Sequence, residues 1–220
     1  HPFRNGMGNT AVDISGFGLA EEEVTVAEIL SAKGYNTVHI GKWHMGDIRE
    51  AWPTMQGFDY AAFPIHQQGQ LTIFHDDAAD EEISIGIGKN NYDDRYTMDE
   101  WLRTDASSMV TGVEGKRGEN VREVYMETGE RWTEAKYHEM NVRYQNQALE
   151  QLRELAEADK PFFLQYWPLY PLTGPRTTTD QYTTPNGGIY VEKMKLVDEW
   201  IGELMTEMDT LGIADNTLVV

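Results

Sequence analysis

The fold is decided by the stretch Gly-Lys-Trp-His-Met-Gly at residues 41–46. Residues 35–40 precede it and are rich in β-branched and aromatic side chains, which predicts a strand. Lys42 and His44 therefore follow the end of a strand, two residues apart and between two glycines. Ligands bind beyond the carboxyl ends of the strands in open α/β sheets. A cation and an imidazole at this position suit an anionic ester better than they suit a buried core.

The residues before this stretch predict a helix that leads into the strand. Thr25 with Glu28 three residues later forms a capping-box pattern, and Gly34 is the expected C-cap. After the stretch, residues 57–60 predict a turn that enters a short strand. Helix, glycine, strand and polar loop in this order are half of a parallel α/β unit.

The second half of the chain repeats the alternation of helix and strand. A helix beginning at about Thr133 carries an apolar stripe, and a near-continuous apolar run at residues 161–167 predicts a central strand covered on both faces. A second long helix is predicted from about Tyr190 to Leu211, and residues 216–220 predict a further strand. The two stripes consist of Met140, Tyr144, Ala148, Leu152 and Leu155, and of Val197, Ile201, Leu204, Met208 and Leu211. The sequence thus predicts an α/β fold with a mainly parallel sheet flanked by helices.

The middle of the chain, at about residues 65–130, has no clear period and is rich in acidic residues and glycine. We interpret it as an irregular insertion with short strands at residues 71–74, 83–87 and 121–126. A long irregular segment of this kind is often functional. Residues 1–220 are then expected to be part of one domain that contains this insertion.

The composition of the chain excludes several classes of protein and of functional site. The chain has 220 residues, 40% of them hydrophobic, which is enough for a substantial core. The net charge of −19 argues against a surface that binds nucleic acid. With no cysteine, the chain has no disulfide, thiolate metal site or cysteine nucleophile. No apolar run approaches the length of a membrane helix, so we expect no membrane span.

Several stretches of the sequence resemble the sulfatase family of the alkaline phosphatase superfamily, in particular the arylsulfatases. The stretch at 41–46 is similar to the family signature G-K-W-H-x-G. Four further blocks resemble family segments in the same order, namely residues 25–34, 57–59, 160–164 and 191–220. The resemblance implies a sulfatase domain of the alkaline-phosphatase-like fold, incomplete at both ends, of which this chain is the central part.

The resemblance implies a chemistry for two residues. Sulfatases hydrolyse sulfate esters with a formylglycine made from Cys or Ser in a C/S-x-P-x-R motif, and with a divalent cation, commonly calcium. Lys42 would be the catalytic and substrate-binding lysine beside the sulfate oxygens. His44 would be the catalytic histidine that helps remove a proton during sulfate release. No residue of this chain is expected to bind the metal, since the ligand motifs would lie outside both of its ends.

The chain departs from the family pattern in two ways. No serine is followed by x-Pro, so the nucleophile motif is absent. After the apolar run at 161–167, Leu172 occupies the place of a family histidine that contacts the sulfate or the leaving-group oxygen. Because it lacks the nucleophile motif and the metal-ligand motifs, the isolated chain is expected to be inactive, and Leu172 favours the alternative that the complete protein has also lost catalysis.

We expect the complete protein to hydrolyse a sulfate monoester in a formylglycine- and calcium-dependent reaction. Two alternatives stay open: a phosphonate or phosphate ester hydrolase of the same superfamily, and an inactive sulfatase-like binding protein. The implied partners are a small-molecule or glycan sulfate ester and the remainder of the sulfatase polypeptide, with no nucleic acid. The family tendency is a periplasmic or secreted location.

Overall fold

The helices and strands form in the order that the sequence predicts around residues 41–46. A computed structural model describes most of the chain, namely residues 17–46, 48–64, 110–119, 121–125, 134–171 and 188–220. The described helices and strands are α1 Val26–Ala32, β1 Asn36–Gly41, β2 Tyr60–Phe63, β3 Val110–Lys116, β4 Arg122–Tyr125, α2 Glu134–Glu157, β5 Phe162–Trp167 and α3 Gly188–Thr210. Short 3₁₀ helices lie at Arg49–Ala51, Pro53–Met55 and Ala214–Asn216.

The described strands form one sheet in the order β4-β3-β2-β1-β5. β1 lies between β2 and β5 and is parallel to both. β3 is antiparallel to β2, and β4 is antiparallel to β3. The sheet is therefore mixed, with the expected parallel pairs at β1 and an antiparallel hairpin added beside β2. This hairpin lies inside the region interpreted as an insertion, where β4 confirms the strand predicted near residues 121–126.

Helix α1 is fixed at both ends by local hydrogen bonds. The Glu28 backbone N–H donates to the Thr25 hydroxyl at 3.1 Å, and the Thr25 N–H donates to the Glu28 carboxylate at 2.6 Å, which confirms the capping box. Gly34 follows the helix with a φ of 89°. Its N–H donates to Ser31 O, and the Tyr35 N–H donates to Leu30 O, a Schellman motif. The helix therefore ends at Ala32, and β1 begins after three intervening residues.

Helix α2 covers one face of the sheet with the predicted stripe. All five stripe residues, Met140, Tyr144, Ala148, Leu152 and Leu155, are buried. Four of them, Met140, Tyr144, Ala148 and Leu155, belong to one core cluster with Val38 and Ile40 of β1. Burying a large apolar side chain contributes roughly 1.5–3 kcal/mol, so this stripe accounts for much of the attachment of α2 to the sheet. On the other face of the sheet, Trp52, Ala61, Phe63 and Val113 form a second cluster.

Helix α3 packs against α2, but with a different residue in its centre than the sequence predicted. Trp200 is buried in the core cluster, whereas Ile201 is exposed, so the inclusion of Ile201 in the buried stripe was wrong. Gln145 of α2 donates to Trp200 O at 3.1 Å and to the Glu203 carboxylate at 2.8 Å. The indole of Trp200 also stacks on Tyr170, while Val197, Leu204 and Met208 of the predicted stripe still face the core or are buried.

Two predicted strands differ from the structure. Residues 217–220 form no strand, and Leu218 is exposed, because no described strand lies beside them to accept their hydrogen bonds. β5 forms as predicted but lies at the edge of the described sheet, so its residues are only partly buried. The predicted strands at 71–74 and 83–87 lie outside the described residues. Within the described residues, none of the helices has the length and hydropathy to cross a bilayer.

Candidate active site at the carboxyl end of the first strand

Residues 41–46 begin at the carboxyl end of β1, beside the carboxyl end of the parallel strand β5. The Lys42 backbone N–H donates to Trp167 O at 2.8 Å, which ties the segment to the last residue of β5. Gly41 has a φ of 98°, and a Cβ atom there would lie 2.0 Å from Trp167 O. Only glycine allows this approach. Gly41 therefore sets the position from which Lys42 extends.

The far end of the segment is held by a second close approach between glycines. Gly46 forms an isolated antiparallel bridge with Gly18, and the Leu19 N–H donates to Met45 O at 2.7 Å. Gly46 has a φ of 133°, and a Cβ atom there would lie 2.3 Å from the Gly18 Cα. Both glycines of the signature are thus required by backbone packing, and the residues between them are held at both ends.

Trp43 anchors the middle of the segment. Its indole N–H donates to Ala51 O at 2.7 Å, and its ring lies edge-on to His39 and Phe58 with centroid distances of 4.9 and 5.9 Å. Such aromatic contacts add to the burial energy and fix ring orientation. Trp43 is therefore a packing residue that fixes the backbone between Lys42 and His44.

The His44 imidazole is held in its neutral form. His44 is half-buried and has a φ of 59°, an uncommon backbone conformation for a residue other than glycine. Burial, together with the nearby charge of Lys42, lowers the pKa of His44 to about 4. At neutral pH the ring can therefore accept a proton. Strained backbone of this kind is found at functional sites more often than elsewhere.

Lys42 supplies positive charge beside this imidazole. It is half-buried, and burial lowers the pKa of its ammonium group from the usual value. In the described part of the chain, no carboxylate forms an ion pair with Lys42. Since a partly desolvated cation is stabilised by an anion, the position favours binding of a sulfate or phosphate group. The structure thus brings together the two residues that the sequence predicted, within reach of each other's charge.

His39, the other histidine near the site, has a structural role. It is buried, with Nε2 3.0 Å from Gly41 O and Nδ1 3.2 Å from the Gln165 side-chain oxygen. Burial lowers the pKa of His39 to about 4, so the ring is neutral. Nε2–H then donates to the Gly41 carbonyl, and Nδ1 accepts from the Gln165 amide turned by 180°. His39 therefore supports the turn at Gly41 from inside the sheet.

Two further features bear on the site. Leu172 lies outside the described residues, so its surroundings are not assigned. Within the described ranges, no three His, Asp or Glu side chains lie together as a metal site would require. Sequence reasoning also missed a group at the same edge, in which His138 of α2 and Lys193 of α3 meet Tyr170, the third residue after β5. No motif could have found it, because its members come from three separate segments.

The fold and this edge define an α/β domain of the alkaline-phosphatase-like class, with a candidate anion site beyond its parallel strands. Residues 2–220 match the model of the Sulfatase family, and the chain belongs to that family.

Similarity to known proteins extends over the whole chain. It is 28% identical to human "Arylsulfatase A" over 235 residues, which cover 100% of this chain and 39% of that protein. The crystal structure of PsFucS1 sulfatase from Pseudoalteromonas sp. superposes with a TM-score of 0.69 at 19% identity and covers 96% of this chain and 40% of that chain. Ps i-CgsB in complex with k-i-k-neocarrahexaose has a TM-score of 0.52 at 19% identity, covering 93% and 40%. The chain thus spans about two fifths of the length of these relatives.

Proposed function

We propose that the complete protein containing this chain hydrolyses a sulfate monoester, and that residues 41–46 form one wall of its active site. The observation that carries this proposal is a neutral imidazole, His44, beside a partly desolvated cation, Lys42, at the carboxyl edge of parallel strands. Membership of the sulfatase family supports sulfate as the anion that this pair binds.

Lys42 acts in this proposal as the charge that binds the sulfate oxygens. Its partial burial removes competing water, and a fixed cation at such a position stabilises the charge that develops in the transition state. The hydrogen bond from the Lys42 backbone N–H to Trp167 O fixes the backbone position from which the ammonium group extends. The net charge of −19 repels anions from the surface, so binding depends on local cations such as this one.

His44 acts in this proposal as the group that accepts a proton from a reacting hydroxyl. Without ligand, the Lys42 charge and burial keep its pKa at about 4. A bound sulfate would offset the Lys42 charge, and this would raise the pKa of His44 towards the range in which a base works well near neutral pH. Binding of the anion would then raise the pKa of His44, because both the anion and the imidazole interact with the charge of Lys42.

Sulfatases use a divalent metal, and we propose calcium for the complete protein. The described residues do not fit such an ion, since they bring no cluster of three possible ligands together. The chain also lacks the cysteine, and the serine followed by x-Pro, from which formylglycine is made in the family. We therefore assign only sulfate binding and proton transfer to this chain, and propose that the remainder of the sulfatase polypeptide supplies the nucleophile and the metal ligands.

The proposed substrate class is a sulfated glycan or a smaller sulfate ester. Support comes from a structural relative with a related fold whose structure contains k-i-k-neocarrahexaose. A periplasmic or secreted location is proposed for the complete protein, since polymeric glycans are met outside the cytoplasm.

The proposal is tested by assaying the complete protein and the 220-residue chain on 4-nitrophenyl sulfate and 4-nitrophenyl phosphate. We expect turnover of the sulfate by the complete protein and none by the isolated chain. Preference for the phosphate would replace the proposed function by that of a phosphate ester hydrolase. Binding of sulfate without turnover would indicate an inactive sulfatase-like protein.

A further inference from the structure

The peptide unit between Gly41 and Lys42 is held from two sides. Its N–H donates to Trp167 O of β5 at 2.8 Å. Its carbonyl oxygen, Gly41 O, lies 3.0 Å from Nε2 of His39, two residues earlier in the same strand. Because a peptide unit is planar, hydrogen bonds at its two opposite edges leave it little freedom to rotate. The Lys42 side chain extends from this unit, so its direction depends on both bonds.

The bond from His39 to Gly41 O is not part of the regular sheet. In a parallel sheet, carbonyl groups bond to a neighbouring strand, whereas side chains stand roughly perpendicular to the sheet. A side chain that reaches the carbonyl two residues further on therefore requires that this carbonyl turn towards the face of the sheet. Gly41 has a φ of 98° and forms the last register pair of β1 with β5. His39 thus supplies a donor to a carbonyl group at the point where this strand pairing ends.

Gln165 of β5 fixes which nitrogen of His39 carries the proton. The two residues are paired in register, and Nδ1 of His39 lies 3.2 Å from the Gln165 side-chain amide. When this amide donates to Nδ1, the single proton of the neutral ring is on Nε2, the nitrogen that faces Gly41 O. Gln165 therefore acts on the Gly41 carbonyl through the tautomer of His39.

The imidazole of His39 is fixed by the aromatic residues around it. It is 1% exposed, so it is not available to a substrate. Its ring lies edge-on to Trp43 at a centroid distance of 4.9 Å and tilted to Phe58 at 5.4 Å. His39 thus contacts the residue before Lys42 through a hydrogen bond and the residue after it through its ring. Support of this kind holds a functional group within the narrow limits that catalysis requires.

We propose that His39, oriented by Gln165, is a positioning residue for Lys42. It holds the peptide unit between Gly41 and Lys42 so that the ammonium group is directed at the sulfate oxygens. This inference rests on the proposed function, since the sulfate is assigned to Lys42 there. A displacement of about 1 Å at a reacting group lowers a rate by up to about 10²-fold. Loss of the bond to Gly41 O therefore lowers kcat, although His39 does not touch the substrate.

The test uses two variants of the complete protein that each keep one half of the imidazole. Glutamine carries its amide near the position of Nε2, and asparagine carries it near the position of Nδ1. His39→Gln therefore keeps a donor to Gly41 O, whereas His39→Asn loses it. We expect His39→Asn to lower kcat for 4-nitrophenyl sulfate by about tenfold or more per folded molecule, with a smaller change in KM, and His39→Gln to retain most of kcat. Equal kcat values in the two variants would overturn the positioning role.

Gln165→Leu tests the same contacts without changing His39. It removes the donor to Nδ1, and we expect a loss in kcat that is smaller than the loss in His39→Asn. In the His39→Gln background, which has no tautomer to fix, Gln165→Leu should have little further effect, and additive losses would contradict the route through His39. Thr37→Val is the matched control, because it removes a buried side-chain bond to Gly57 O from the same strand. It should lower stability and leave kcat per folded molecule unchanged.

Hydrogen exchange of the Lys42 amide distinguishes a failure of this inference from a failure of the proposed function. If the wild-type complete protein hydrolyses no sulfate ester, the proposed function fails, and exchange still reports whether His39 holds the peptide unit. Mass spectrometry measures the exchange in both variants. Faster exchange of the Lys42 amide in His39→Asn than in His39→Gln supports the positioning role, and equal rates refute it.

Discussion

The polar groups at the amino end of β1 bond to one another, whereas Lys42 and His44, which follow its carboxyl end, are the residues for which we propose a ligand. At the amino end, the Thr37 N–H donates to Asp59 at 3.0 Å and its hydroxyl donates to Gly57 O at 2.8 Å. Arg117 forms an ion pair with the other Asp59 oxygen at 3.1 Å and also donates to Gly57 O. Each charge there has its counter-charge within the protein.

At the carboxyl end, the same strand leads to Lys42 and His44, whose pKa values are both lowered by burial. No described carboxylate balances the lysine. Keeping a cation partly desolvated costs stability that a structural site would avoid. The difference agrees with our proposal that the amino end stabilises the fold and that the carboxyl end binds an anion.

The largest effect is expected from a methyl group added at either end. A Cβ at Gly46 would lie 2.3 Å from the Gly18 Cα, and one at Gly57 would lie 2.3 Å from the Glu28 nitrogen. Both Gly46→Ala and Gly57→Ala should lower the free energy of unfolding of the complete protein by about 3 kcal/mol, from steric overlap and positive φ together. Chemical denaturation measures this loss.

The variants Gly46→Ala and Gly57→Ala also distinguish an effect on stability from an effect on activity. Only Gly46→Ala should lower kcat/KM per folded molecule, because only Gly46 positions Lys42 and His44. Gly118→Ala is the control, since Gly118 has a positive φ but nothing within 4 Å of an added Cβ. It should cost only the backbone strain of about 1–2 kcal/mol. If Gly57→Ala reduced activity per folded molecule as strongly as Gly46→Ala, the two ends would not be functionally distinct.

A somewhat smaller effect is expected from Asp59→Ala. This change leaves the buried Thr37 N–H and the Arg117 guanidinium without their shared acceptor. We expect a loss of about 2 kcal/mol in the free energy of unfolding, with unchanged kcat/KM per folded molecule. Asp59→Asn keeps one acceptor oxygen and should lose less. A fall in activity without a fall in stability would contradict the structural role of Asp59 and would indicate a role in the active site.

Between the two ends, His39 should make stability depend on pH. Its folded pKa of about 4 lies below the usual 6.5, so the unfolded state binds more protons between these values. Stability therefore falls as the pH drops from 6.5 towards 4, by about 2 kcal/mol between pH 6.5 and 5. His39→Gln should remove one proton from the pH slope of the unfolding free energy. An unchanged slope would contradict the neutral, buried state of His39.

Many of the structural features around β1 could be predicted from the sequence, because they depend on residues that lie close together along the chain. The capping box at Thr25, the glycine at 34 and the apolar stripe of α2 were predicted from spacing alone and are confirmed. The signature at 41–46 located the candidate site, although the reason for its two glycines needed the backbone contacts with Trp167 and Gly18.

What could not be predicted depends on distant partners. β3 has the sequence Val-Thr-Gly-Val-Glu-Gly-Lys, which carries little strand pattern, and it forms because β2 offers an antiparallel edge. Trp200 is buried against Tyr170 and Ile201 is exposed, a contact with a residue thirty positions away that the helical spacing could not reveal. The group of His138, Tyr170 and Lys193 likewise joins residues that no spacing rule relates.

The central claim is tested most directly by kcat/KM of the complete protein on 4-nitrophenyl sulfate after Lys42→Ala, with His44→Ala measured alongside. Loss of a charge-stabilising or proton-transfer group costs a factor of ~10² or more, and we predict at least this loss in each variant, with a melting temperature that does not fall in Lys42→Ala. Lys33→Ala, which removes an exposed lysine before β1, should retain the wild-type value. Wild-type kcat/KM in both Lys42→Ala and His44→Ala would contradict the assignment of the carboxyl end of β1 as a sulfate-ester site.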